Sequence, residues 1–186
     1  MNWLKRVFGS SNRITVKNPL VIESPKIGFL NLMGAPGQLL LDQDKAALGP
    51  IFPSCVVSDD AVPECDVLLV YAQVETDGRI DGSGDGLRDI IRKAKAVIAI
   101  VASPNEPNSL IAAGKPTGYG QANLILTIDR KGVAFPSFYT ELFGRMRRGV
   151  TMPVAWVELA PQIPGARHEH CPDGIFSAEI SHIVFR

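Results

Sequence analysis

The chain alternates continuous apolar runs with segments in which apolar residues recur every three or four positions. The apolar runs predict strands at residues 26–33, 55–57, 66–74, 96–102, 122–128, 153–159 and 180–185. The helical spacing predicts helices at residues 38–48, 87–94 and 135–146. Strands that are apolar on both faces need cover on both faces, which alternating helices supply. This pattern predicts an α/β three-layer sandwich with a mostly parallel central sheet of about five to seven strands.

Two parts of the chain depart from this alternation. No crossover helix precedes the last strand, 180–185, so we expect it to pair antiparallel at an edge of the sheet. Residues 1–24 form a separate N-terminal tail or short amphipathic segment, and residues 25–186 form a single α/β domain. Apolar positions from Trp3 to Phe8 have helical spacing, which fits either a fraying tail or a weak peripheral contact with a membrane surface.

The composition narrows the class of protein. Of 186 residues, 46% are hydrophobic and 20% are charged, which is typical of a globular domain. Lys+Arg and Asp+Glu both total 19, and this balance argues against a dedicated nucleic-acid binder. Three cysteines do not make a disulfide framework, and no apolar run approaches the length of a membrane span. We therefore expect a cytoplasmic protein.

Ligands of parallel α/β sheets bind outside the carboxyl ends of the strands, which selects four loops: 34–37, 75–86, 103–108 and 130–132. The first loop carries Gly34 and Gly37 and leads into a helix, whose free N–H groups favour anions. It has two glycines where the dinucleotide fingerprint needs three. The alternative is an ordinary strand-to-helix turn.

The second loop is the most polar segment of the chain. Asp81 and Asp85 match the first half of a calcium-binding loop, but Arg88 and Arg92 stand where that pattern needs a hydrophobic residue and a glutamate. A looser divalent-cation site that adds Asp77 is one interpretation. The other is that Asp85 caps the helix that follows it.

Polar residues of later loops are further candidates. Ser103, Asn105 and Asn108 follow the most apolar strand, where Ser103 is either a nucleophile or, with Asn108, a helix cap. Tyr119 stands alone between two glycines and, with Lys115 and Gln121, could form a lip for protein or ligand contact. The alternative is that Tyr119 folds against its own loop.

The only histidine cluster of the sequence surrounds Glu169. His168 and His170 would share one face of an extended segment, which suits a zinc or nickel ion, but the prolines and glycines nearby favour a solvated loop. We therefore assign no metal ligand, and the sequence identifies no cofactor.

The alternation of strands and helices resembles flavodoxin-like domains and caspase-like or TIR-type bacterial domains at the level of the fold. A caspase-like protease would need a histidine after one central strand and a cysteine after the next, and residues 73–75 and 102–103 supply neither. No residue roles are therefore carried over. The first hypothesis is a binding or protein-interaction domain that self-associates through residues 180–185. The alternative is an enzyme or sensor that binds a nucleotide or phosphate-type molecule at the carboxyl ends of the strands.

Overall fold

A computed structural model describes residues 19–75, 77–80, 84–103, 122–128, 134–160, 173–175 and 182–186. No helix in these ranges is both long and apolar enough to cross a membrane. The strands of the described part are β1 (Leu20–Ile22), β2 (Lys26–Asn31), β3 (Ser54–Ser58), β4 (Val67–Tyr71), β5 (Ile98–Ser103), β6 (Asn123–Ile128), β7 (Asp173–Ile175) and β8 (Ile183–Phe185). The helices are α1 (Ala35–Leu48), α2 (Leu87–Ala94), α3 (Ala134–Arg147) and α4 (Met152–Leu159).

The main sheet has six strands in the order β3-β2-β4-β5-β6-β7. The first five run parallel to one another, and β7 pairs antiparallel with β6 at the edge. Helices cover both faces of the sheet, so the predicted three-layer α/β sandwich with a mostly parallel sheet is confirmed. The antiparallel edge strand is β7 rather than the predicted segment 180–185.

Each face of the sheet has its own hydrophobic core because successive residues of a strand point to opposite faces. Ile27, Phe29 and Leu69 belong to the core shared with α1, α3 and α4. Leu68 and Val70 belong to the core shared with α2. The connection from β2 to β3 and the connection from β4 to β5 cross the sheet in opposite directions. Because such crossovers have the same hand, their helices, α1 and α2, lie on opposite faces of the sheet.

The final strand is buried and belongs to a second, two-stranded sheet. β8 pairs parallel with β1, from Leu20 opposite Ile183 to Ile22 opposite Phe185. The Phe185 ring stacks on Phe143 of α3 at a centroid distance of 5.7 Å. All three residues of β8 are buried, so this strand exposes no apolar side chain. Self-association through residues 180–185 stays a prediction. The partner strand of β8, β1, lies within the segment 1–24 that the sequence set apart as a tail.

The predicted strand at 153–159 is a helix, α4. Its buried residues are Met152, Ala155, Trp156 and Leu159, whose spacing is helical, and Pro153 stands in the first turn, where its missing N–H costs no hydrogen bond. Trp156 is a core residue, as predicted, and its ring packs edge-on against Phe138 of α3 at 5.2 Å.

Helix α3 follows the predicted stripe of apolar residues and ends at a left-handed glycine. Gly149 has φ of +84°, a conformation that glycine adopts without steric penalty. The predicted pair is present, with Arg145 Nε donating to Glu141 at 2.9 Å. The Arg145 guanidinium also contacts Glu158, which ties α3 to α4.

Candidate functional site

The strand order of the main sheet reverses between β2 and β4. From β2 the chain crosses to β3 on one side, whereas from β4 it crosses to β5 on the other side. Connections that leave two neighbouring strands in opposite directions open a crevice at their carboxyl ends, which is the usual ligand position in such sheets. Two of the four loops selected from the sequence, 34–37 and 75–86, follow these two strands.

Asn31 organises the first of these loops. It is the last residue of β2 and is buried. Its Oδ1 accepts a hydrogen bond from the Met33 amide at 3.1 Å, and its Nδ2 donates to the Gly34 carbonyl at 2.9 Å. Gly34 has φ of +64°, so the chain turns at a glycine into α1. One buried amide therefore fixes the turn that begins the helix.

The two glycines predicted as an anion cradle have different roles in the structure. A Cβ on Gly37 would lie 2.1 Å from Asn31 Oδ1, so this glycine makes room for the asparagine side chain. Residues Gly34, Ala35 and Pro36 are exposed at the start of α1. Pro36 has no N–H to offer an anion, but the first turn carries no acidic residue that would repel one.

The structure describes residues 72–75, 77–80 and 84–86 of the loop after β4. Isolated antiparallel bridges join Val74 to Ile80 and Arg79 to Gly86. Val74 and Ile80 are buried, so this polar segment is fastened to the core at both places. The Glu75 amide donates to the Arg79 carbonyl at 2.8 Å. These contacts fasten the described residues of the loop to the core beside the end of β4.

Two of the predicted aspartates in this loop pair with cations of the protein. The Asp77 carboxylate accepts a hydrogen bond from Arg79 Nε at 2.7 Å. The pKa of this carboxyl is lowered, mainly by the hydrogen bond that it accepts from the Arg79 backbone N–H. Asp85 accepts from Lys93 at 2.5 Å, and the cap position of α2 is Gly86, with no side-chain capping bond. Within the described ranges, no group of three or more metal-binding side chains converges.

The carboxyl ends of β5 and β6 carry buried hydroxyl side chains. Ser103 ends β5 and is 6% exposed. Thr127 is fully buried in β6 and donates to the Val101 carbonyl at 3.1 Å. Together with Asn31, these residues make three of the five buried polar residues of the described part, and all three lie at one edge of the sheet.

Several predicted positions lie outside the described residues. They are Asp81, Asn105, Asn108, Lys115, Tyr119 and Gln121, the segment from Trp3 to Phe8, and His168 and His170 with their neighbours. Their predicted roles stay predictions. The same holds for the capping role of Ser103, because the residues that follow it belong to this group.

A buried carboxylate under the crevice was not predicted. Asp44 of α1 is fully buried and accepts a hydrogen bond from the Tyr71 hydroxyl of β4 at 2.7 Å. This bond joins the helix that begins at the crevice to a strand that ends there. The signal was present in the sequence, because Asp44 has the spacing of the buried residues Leu41 and Leu48 on one face of the helix.

A concave surface lies between two helices and includes none of the residues described at the carboxyl ends of the strands. It is an open groove of about 530 Å³ between α1 and α3, lined by Gln43, Ala46, Ala47, Pro136, Ser137, Thr140 and Glu141. None of these lining residues was predicted from the sequence as a ligand candidate.

No protein-family model matches this sequence, and no curated protein sequence is significantly similar to it. The geometry of the fold and the residues at its carboxyl edge are therefore the basis for inferring a function.

Proposed function

We propose that this chain is a binding domain that holds a small polar molecule, of the nucleotide or phosphate type, over the carboxyl ends of β2, β4 and β5. The observation that carries the proposal is the reversal of strand order between β2 and β4. In open α/β sheets the crevice at such a reversal is where ligands bind, because the loops on its two sides diverge.

The surroundings of the crevice favour an anionic group. The N-terminus of α1 opens onto it, and unpaired helix N–H groups together with the helix dipole attract negative charge. The turn that leads into this helix is fixed by Asn31, so binding would cost little ordering of the backbone. The proposal assigns no catalytic residue.

The proposal is tested by thermal-shift measurements of the full chain against nucleotides, sugar phosphates and inorganic phosphate. A ligand present at a hundredfold excess over its Kd stabilises the folded state by about 2.7 kcal/mol. We expect the shift to be lost in Ala35→Glu, because this exposed residue starts α1 and the new carboxylate would repel an anion. An acidic residue in a first turn does not destabilise the helix.

Ala46→Glu is the matched control, since Ala46 is exposed on the same helix, three turns away from the crevice. It should retain the shift. A shift that survives in Ala35→Glu, or that Ala46→Glu also abolishes, would place the ligand elsewhere. No shift with any compound of the panel would count against the proposal and favour a domain that binds other proteins.

A further inference from the structure

Strand β3 is an open edge of the main sheet. It pairs with β2 on one side, and no strand of the described part pairs with its other side. Ser54, Cys55 and Val57 are exposed, and Val57 is one of few large apolar side chains with more than a third of its surface in contact with solvent, at 39%. An edge of this kind presents main-chain N–H and C=O groups to any strand that can align with it.

The strand lacks the features that usually protect a sheet edge. Its residues, Ser-Cys-Val-Val-Ser, include no lysine, no proline and no other charge. Protected edges carry a charged side chain, a proline or a bulge, because each of these hinders the approach of a second strand. Within the part of the chain that the structure describes, nothing in the sequence of β3 hinders the approach of a second strand.

The sequence of β3 is nearly palindromic, because it reads Ser-Cys-Val-Val-Ser forwards and Ser-Val-Val-Cys-Ser backwards. In an antiparallel pair with Val56 opposite Val56 of a second copy, Cys55 lies opposite Val57 and Ser54 lies opposite Ser58. Cys55 and Val57 pair with Ile27 and Phe29 of β2 and so share the α1 face of the sheet. In this register, the exposed cysteine and valine of each copy would cover those of the other.

Charge at the two ends of β3 fits the same arrangement. The pKa of the Cys55 thiol is raised, mainly by burial, and the Lys45 ammonium partly offsets this effect. Lys45 is therefore a cation close to the amino end of the strand. Asp59 and Asp60 are exposed directly after the carboxyl end. Antiparallel pairing places the acidic end of each copy beside the basic end of the other, and the contact occurs twice about the two-fold axis.

We infer that β3 pairs antiparallel with β3 of a second copy of this chain, about a two-fold axis at Val56, and joins the two main sheets into one. The contact involves five residues from each copy, so it is small, and the dimer dissociates on dilution. This inference does not depend on the proposed ligand site, which lies on the other strands.

Sedimentation velocity on the full chain over a concentration series measures the association. We expect the average mass to rise from the chain mass of 20.1 kDa toward twice that value. Val57→Lys should keep the protein monomeric at every concentration, because it adds a cation opposite Cys55 and near Lys45 of the second copy. The matched control is Val157→Lys on α4, a valine that is 60% exposed, and it should associate like the parent.

Cross-linking tests the register and does not depend on the folding of the lysine variant. In a Cys171→Ser background, Val57→Cys brings Cys55 and the new thiol together across the two-fold axis. Oxidised glutathione should convert them to disulfides, each formed from two thiols as one glutathione disulfide is reduced. In the Ser58→Cys variant the new thiol lies opposite Ser54, so it should form no disulfide-linked dimer.

Three results would overturn the inference. They are a chain that stays monomeric throughout the series, association that Val57→Lys leaves unchanged, and equal cross-linking of the Ser58→Cys and Val57→Cys variants.

Discussion

Replacing Gly37 by alanine tests whether the turn at the crevice depends on the Asn31 side chain. An alanine Cβ would lie 2.1 Å from Asn31 Oδ1 and 3.0 Å from the Cβ of Met33. The carboxamide must therefore move and give up its bonds to the Met33 amide and the Gly34 carbonyl. The prediction is that this substitution destabilises the fold although alanine is the better helix former.

The expected magnitude follows from three contributions. Each lost hydrogen bond costs about 0.5–1.5 kcal/mol, so both together cost about 1–3 kcal/mol. Forcing a methyl group into a filled space costs a further ~1–3 kcal/mol. Alanine recovers at most about 1 kcal/mol of helix propensity. The free energy of unfolding should fall by about 1–5 kcal/mol.

Urea unfolding of Gly37→Ala and Gly144→Ala compares the same change in two helices. A Cβ on Gly144 would meet only the Arg148 guanidinium at 3.6 Å, an ordinary contact, so this variant should gain about 1 kcal/mol. In an Asn31→Ala background the cost of Gly37→Ala should largely disappear, because the space is then free. A Gly37→Ala variant as stable as the parent would refute the reasoning.

Two further predictions concern buried polar groups. Tyr71→Phe removes the hydroxyl that donates to Asp44 and should lower the free energy of unfolding by about 1–3 kcal/mol in urea titrations; unchanged stability would mean that this bond contributes nothing. Burial, followed by the nearby Asp66 carboxylate, raises the pKa of the Cys65 thiol from its ordinary value of 9.0 to about 12, so the folded state holds this proton more tightly than the unfolded chain. The stabilisation is full below pH 9 and is lost as the pH rises toward 12, and Cys65→Ala should flatten that part of the stability curve; an equal slope in both proteins would contradict it.

The sheet could be predicted because its central strands leave no ambiguity in the sequence. β4 is apolar at every position, β5 is apolar up to Ser103 at its end, and both strands are buried at every position, which fits a parallel sheet covered on both faces. Helix α4 was mistaken for a strand because it is short and its exposed face carries Val154 and Val157. Two β-branched residues in a seven-residue segment that is apolar except for Glu158 outweighed the helical spacing of the buried ones.

The crevice could be predicted only in part, because it depends on strand order. That a loop follows a strand can be read from the chain, but that β2 and β4 are neighbours, with Asn31 beside Tyr71, is a property of the assembled sheet. Asn31 was not predicted as a functional residue, because an asparagine at the end of an apolar run is also a common turn residue. Its role became visible only with Gly37 packed against it.

The apolarity of a strand also failed to predict whether the strand lies at an exposed edge. From its apolarity, the last predicted strand, residues 180–185, was expected to be the segment that self-associates. A strand that is apolar at each position gains more by burial within its own chain, and β8 does so against β1 and the aromatic side chains of α3. β3 is one of the two edge strands of the main sheet, and the serine at each of its ends lowers the gain from burial. The fully apolar β8 is buried and the moderately apolar β3 lies at a sheet edge, so the most apolar strand is not a guide to the exposed one.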